Sequence, residues 1–313
     1  MSPASSLLRA STALAALLLA PLAARAQRPQ PLVSPDAYLV PHPAGNSVVL
    51  LGRDGPVVVG PMHPAVVART RALLDSLGAP PVRFVLAASG DSAVQHGDGG
   101  WTARGAVVVA HEGVRNRVRW AARTDSTVRG RVPLLGFSQV FQIVAAGDET
   151  HAVHHAAGYS DADFIAHFED RKFLYMGSLF TNDGYPAIGR GGSIAGLIRT
   201  SKEFVDNYAA ARDAIEPIIP GRGSVATFQD LKDYLEMLVA VRDRVDPMVR
   251  AGRTVEEVVA TRPAAPFDAR WGRGPVSADA FVGMVYQSLK ADLARTAAAA
   301  APARQHSHSH SHR

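Results

Sequence analysis

The chain of 313 residues contains no cysteine. Disulfides, thiolate metal ligands and a cysteine nucleophile are therefore excluded. Long blocks of one charge are also missing: 33 basic and 28 acidic residues are interspersed, for a net charge of +5. With no groove-reading motif beside it, that balance gives no ground for a nucleic-acid partner. There is no Gly-x-Ser-x-Gly elbow to present a serine nucleophile. The glycine-rich stretches Gly97–Gly100 and Gly189–Gly192 lack the strand-loop-helix setting and the lysine of a phosphate loop, and read as loops at a cleft rim. Beyond the N-terminus no apolar run reaches the roughly 20 residues that span a bilayer. The mature chain is expected to be soluble, with no membrane partner.

The two ends do carry signals. Arg9 gives a weakly positive start, and Thr12 to Ala24 is apolar apart from Pro21. Ala24-Arg25-Ala26 supplies small residues at the positions a signal peptidase reads. Residues 1–26 are expected to be a cleaved leader, with Gln27 as the mature N-terminus and a periplasmic or secreted destination. At the other end an alanine-rich stretch precedes His306, His308, His310 and His312, each spaced by serine. Residues 296–313 read as a disordered tail whose imidazoles would bind transition metals only incidentally. Residues 27–295 remain for the folded part.

Within it, Asn46 to Leu51 and Pro56 to Val59 predict two strands around the tight turn Arg53-Asp54-Gly55. Pro64 to Leu77 predicts a helix with Val67, Leu73, Leu74 and Leu77 on one stripe. Arg83 to Ala87 and Ala106 to Ala110 follow as strands, the second with no polar alternation, as in a sheet covered on both faces. After a looser basic stretch, Gln139 to Ala145, Phe164 to Phe168 and Lys172 to Met176 predict further strands. A helix is expected over Ile194 to Ala211 and a short strand over Pro217 to Ile219. Thr227-x-x-Asp230 and Thr254-x-x-Glu257 read as capping boxes opening two helices, the first running towards Gly252. A last helix is expected from Ser277 to Leu293. Two β-rich halves, each with helices outside, imply a four-layer sandwich.

Five segments carry a resemblance: Asn46 to Val59, AVVVAHE (Ala106 to Glu112), GYSDADF (Gly158 to Phe164), KFLYMGSLF (Lys172 to Phe180) and IIPGRGSV (Ile218 to Val225). In order and spacing they resemble the metallo-β-lactamase superfamily. The C-terminal stretch Tyr234 to Leu289, with FDARWGRG (Phe267 to Gly274), looks like the glyoxalase-II-like exported branch. The resemblance covers nearly all of the mature chain and implies an α/β fold, the αββα four-layer sandwich, with a C-terminal helical extension.

Active relatives place His-x-His-x-Asp-His after the strand matched by Phe84 to Ala87. Imidazoles and a carboxylate there hold Zn²⁺, which lowers the pKa of a bound water. Read without gaps, this chain offers Ser89-Gly90-Asp91-Ser92-Ala93-Val94, so Ser89, Asp91, Ala93 and Val94 stand at the former ligand positions. Sliding the motif onto His96 rescues one imidazole and still destroys the site. The resemblance also puts Tyr159 at a lost His, Ser178 at the bridging Asp, Arg222 at the final His of a Pro-Gly-His-Gly turn, and Gly60 at a supporting Asp. A guanidinium cannot ligate a cation. Arg222 is expected to occupy the emptied site, bonded to Asp91, Tyr159 or Ser178.

No metal and no cofactor are expected, and the leading expectation is a non-catalytic protein that binds an unknown small molecule in the sheet-edge cleft. The alternative is a hydrolase of ester, thioester or lactam bonds, with zinc in a remodelled site drawn from Asp91, His96, Asp161 and His154 or His155. Asp98 and Asp163 are further candidates for metal-free acid–base work. Of the other histidines, His111 reads as structural and His42 and His63 as loop residues. His151, His154 and His155 lie on a strand whose alternation points neighbours oppositely.

Overall fold

A computed structural model of the chain describes residues 28–88, 95–155, 157–210 and 217–300. Its first sheet holds seven strands in sequential order: β1 (Gln30–Pro31), β2 (Ala37–Val40), β3 (Ser47–Leu50), β4 (Val57–Gly60), β5 (Phe84–Ala87), β6 (Val107–His111) and β7 (Leu135–Phe137). The first four are antiparallel neighbours, and β4 to β7 are parallel. Parallel neighbours need a crossover. α1 (Pro64–Ser76) supplies it between β4 and β5, a 3₁₀ turn (Thr102–Arg104) lies between β5 and β6, and α2 (Glu112–Ala121) joins β6 to β7. Every residue of β3 and β4 is buried, as valine runs without alternation require of a sheet covered on both faces.

The second sheet has the order β12-β11-β10-β9-β8. Its strands are β8 (Val140–Ala145), β9 (Asp148–His154), β10 (Phe164–Phe168), β11 (Phe173–Thr181) and β12 (Ile218–Arg222). β8 to β11 are antiparallel, and β12 joins β11 in parallel after α3 (Ile194–Ala210). The helical extension follows as α4 (Phe228–Arg250), α5 (Val255–Ala260), α6 (Asp268–Trp271) and α7 (Ala278–Ala300).

Three apolar clusters define the layers. One lies between the sheets and joins Leu50 and Val59 to Phe164, Phe168 and Phe173. A second seals the first sheet under α1 and α2 through Val67, Leu74, Val114 and Val118. The third packs Ile165 and Leu174 beneath α3, α4 and α7. The arrangement is the α/β, αββα four-layer sandwich. Each fully buried Leu, Val or Phe contributes roughly 1.5–3 kcal/mol of transfer free energy.

Local signals set the helix starts. His63 caps α1, its Nδ1 accepting the Ala65 N–H, with Pro64 in the first turn. Both capping boxes are present, Thr227 with Asp230 and Thr254 with Glu257. The helix α2 falls in the stretch read as irregular. Its sequence EGVRNRVRWA buries only Val114 and Val118, too thin a stripe to register as periodic. Strands β1, β2 and β7 leave no pattern in the sequence either, and β9 is marked there only by its histidines. Helix α7 continues through Thr296 to Ala300, into the stretch expected to be disordered, because alanine is the strongest helix former. The expected leader and the His-Ser repeat lie outside the described residues.

Candidate functional site

The turn Pro220-Gly221-Arg222-Gly223 sits where β12 ends beside β11, with Arg222 paired to Thr181. Gly221 is required for that approach, since a Cβ there would stand 2.3 Å from the Gly177 carbonyl oxygen. Asn46, buried in the loop between β2 and β3, clamps the turn from the other sheet. Its Nδ2 donates to the carbonyls of Pro220 (3.0 Å) and Gly223 (2.9 Å), and its backbone N–H to that of Gly221 (2.7 Å). The Asn46 carbonyl accepts from the Tyr175 hydroxyl at 2.9 Å. Burial raises the Tyr175 pKa, so this hydroxyl stays a donor.

A cavity of about 180 Å³ opens here, lined by Tyr159, Ser178, Thr181 and Arg222 with Pro61 and the Pro43–Gly45 loop. Three positions that the resemblance assigns to lost ligands thus share one cavity. The Arg222 side chain is not in bulk solvent, being 23% exposed. Its bonds are not those expected from the sequence. Nε donates to both oxygens of Asp183, at 3.0 and 3.1 Å, and Nη2 reaches the Thr181 Oγ1 at 3.4 Å. The Thr181 hydroxyl donates to Asp183 Oδ1 at 2.7 Å, which fixes the carboxylate. Nη1 has no protein partner among the described residues.

Other expected residues go elsewhere. Asp161 does not line this cavity: half exposed, it accepts from Arg117 of α2 at 2.8 Å. It lies within a turn closed by Asp163, which accepts from the Ser160 hydroxyl at 2.9 Å and from the Ser160 backbone N–H. Asp98 is buried and accepts from the Gly100 and Thr102 N–H groups, so it too builds a turn. His96 does not line the cavity. Its ring lies edge-on to His63 at 5.6 Å, and His63 lies 6.0 Å from His42. Burial, then the neighbouring His63 charge, holds His42 and His96 below the usual histidine pKa. Ser89, Asp91, Ala93 and Val94 lie outside the described residues.

The strand histidines diverge as the pleat dictates. His154 approaches His111, their centroids 4.4 Å apart, while His155 Nδ1 is 3.4 Å from Glu203 of α3. His111 caps α2, its Nδ1 accepting the Gly113 N–H, in keeping with a structural role.

The described residues do not fit a zinc ion. Tyr159, Ser178 and a charged arginine occupy the cavity, and among the described residues no group of three or more His, Asp or Glu side chains could hold a metal. Gly60 at the end of β4 leaves no room for a supporting acid, because a Cβ there would meet Ser47 Oγ at 2.1 Å. Sequence reasoning missed Asp183 and Asn46. The bonds of both depend on which strands become neighbours, and no local pattern encodes that.

No protein-family model matches the chain, and no curated protein matches it. Its fold is similar to that of solved structures. A double mutant of the sec-alkyl sulfatase PisA1 superposes with a TM-score of 0.61 at 14% identity, over 83% of this chain and 50% of that one. The stereoselective inverting sec-alkylsulfatase Pisa1 from Pseudomonas sp. gives 0.60 at 13% identity, over 82% and 49%. A metallo-β-lactamase from Pontibacter korlensis gives 0.52 at 15% identity, over 68% of this chain and 98% of that one. The chain spans about half the length of the two alkylsulfatases. The chain has the metallo-β-lactamase fold.

Proposed function

We propose that this is an exported, periplasmic or secreted protein in which the metallo-β-lactamase fold has given up its zinc site and become a non-catalytic binding cleft for a small molecule. The observation that carries the reading is the cavity where Tyr159, Ser178 and Arg222 meet, with the guanidinium held on one edge by Asp183. An arginine oriented in this way keeps N–H donors for a ligand. The ligand class that suits it is a small organic molecule with a carboxylate or similar oxyanion, bonded by Nη1 and flanked by the Ser178 and Tyr159 side chains. Because Asp183 already balances the arginine, the cavity is nearly neutral, and binding draws on shape and hydrogen bonds as much as on charge.

The alternative, a hydrolase with a remodelled metal site, is supported by the fold, since the similar structures include sulfatases and a lactamase. The pairing of Asp161 with Arg117 counts against it, because it takes one of the proposed ligands out of the cleft. The test is a thermal-shift screen with small carboxylates, alkyl sulfates and their neutral analogues. The reading expects stabilisation by an acid that is lost in Arg222→Gln. Turnover of any of these compounds, dependent on added zinc, would overturn it.

A further inference from the structure

We propose that α2 and the edge strands beside it form a face that docks on an anionic lipid bilayer. Residues 112–131 hold six arginines against Glu112 and Asp125, in a chain whose whole net charge is +5. Arg115 donates to the Pro133 carbonyl and Arg117 to Asp161. Arg119, Arg123, Arg129 and Arg131 are exposed, and among the described residues none has a carboxylate within ion-pair distance.

The exposed large hydrophobic side chains gather in and just after this stretch, over residues 120–144. Of eight large hydrophobic side chains exposed among the described residues, five are Trp120, Leu134, Leu135, Val140 and Val144. Trp120 is 70% exposed, whereas Trp101 and Trp271 are 2% exposed. The Arg115–Pro133 bond ties α2 to the segment before Leu134, and the Arg123 guanidinium lies 4.7 Å from the centre of the Trp120 ring. Leu135 and Val140 belong to β7 and β8, the edge strands of the two sheets, which only Ser138 and Gln139 separate in the chain.

Arginine beside tryptophan and leucine is the composition that settles at a headgroup interface, the ring among the headgroups and the cations on lipid phosphate. A second copy of the chain would set like charges against each other. Nucleic acid would use the arginines and leave the leucines and valines exposed. The sequence expectation of no membrane partner rested on the lack of a spanning run. Among the described residues no helix is long and apolar enough to cross a membrane, but contact from one side needs no span.

The experiment uses the chain beginning at Gln27, which keeps every element described, above the histidine pH range so that the tail is neutral. It is mixed with vesicles of phosphatidylglycerol and phosphatidylcholine, or of phosphatidylcholine alone. The proposal expects sedimentation with the anionic vesicles only, weakened by salt. Tryptophan emission should shift to the blue on binding, and the shift should vanish in Trp120→Phe. Arg119→Ser combined with Arg123→Ser should lower partitioning by on the order of tenfold, with an unchanged melting temperature as the folding control. Equal binding to neutral vesicles, no binding at low salt, or binding with no change in these variants would each overturn it. So would preferential capture on duplex DNA without vesicle binding, which would reassign the arginines to another polyanion.

Discussion

The Arg222 guanidinium rests on the carboxylate of Asp183, with Nε 3.0 Å from Oδ1 and 3.1 Å from Oδ2. At the position that the sequence resemblance assigns to a metal-binding histidine, this chain has an internal ion pair. The partners are 23% and 35% exposed, so solvent screens their attraction. A double-mutant cycle of Arg222→Gln and Asp183→Asn should give a coupling of about 1 kcal/mol by urea denaturation. Strictly additive single losses would mean that the pair has no energetic role.

Gly60 makes a second, steric prediction. The position matched to a supporting acid is filled by Ser47, whose Oγ would lie 2.1 Å from an added Cβ. Gly60→Asp should therefore destabilise the fold by about 3 kcal/mol or more, since overpacking and a buried unpaired charge combine. Unchanged stability would show that the pocket around β4 still accepts the acid.

Acid sensitivity should centre on β10. Burial, then the neighbouring His155 and His151, lowers the His167 pKa to about 4, and its Nε2 has no hydrogen-bond partner among the described residues. The unfolded chain takes up this proton near pH 6.5, a proton the folded chain refuses until about pH 4. Above that window the group adds no pH dependence. As pH falls through it, stability drops, by roughly 3 kcal/mol in full. Burial lowers the His155 pKa too, with Glu203 opposing, so its contribution has the same sign. His167→Leu should flatten the pH dependence of the urea midpoint across the window. An unaltered slope would place the acid sensitivity elsewhere.

Export makes a prediction that owes nothing to the cleft. Mass spectrometry of the protein released by a bacterial host should find Gln27 at the N-terminus, free or cyclised. A chain retained in membranes with Thr12 to Ala24 intact would contradict it.

How legible all this was in the sequence depended on range. The valine runs of β3, β4 and β6 and the capping boxes at Thr227 and Thr254 are local signals, and they fall where the residues say. The layers followed from the order of those elements together with the resemblance. Helix α2 was hidden because four of its ten residues are arginine or glutamate and only Val114 and Val118 are buried. In the cleft, Tyr159, Ser178 and Arg222 were nameable because the glycines and prolines that frame them are kept. Asp183 was not, since it reaches Arg222 only once β12 has paired in parallel with β11. Asp161 misled for the same reason in reverse: its segment leads to the cleft, but its side chain turns away to Arg117.

Central to the account is the proposal that an arginine-centred polar cleft stands at the positions the sequence resemblance assigns to zinc ligands. The most direct measurement is metal content, by plasma mass spectrometry, of the chain from Gln27 to Ala303, which leaves out the four tail histidines. Purified from zinc-supplemented medium, it should carry well under one equivalent of zinc, iron or manganese per chain, and a chelator should leave its melting temperature unchanged. A stoichiometric metal whose removal lowers that temperature would contradict the account.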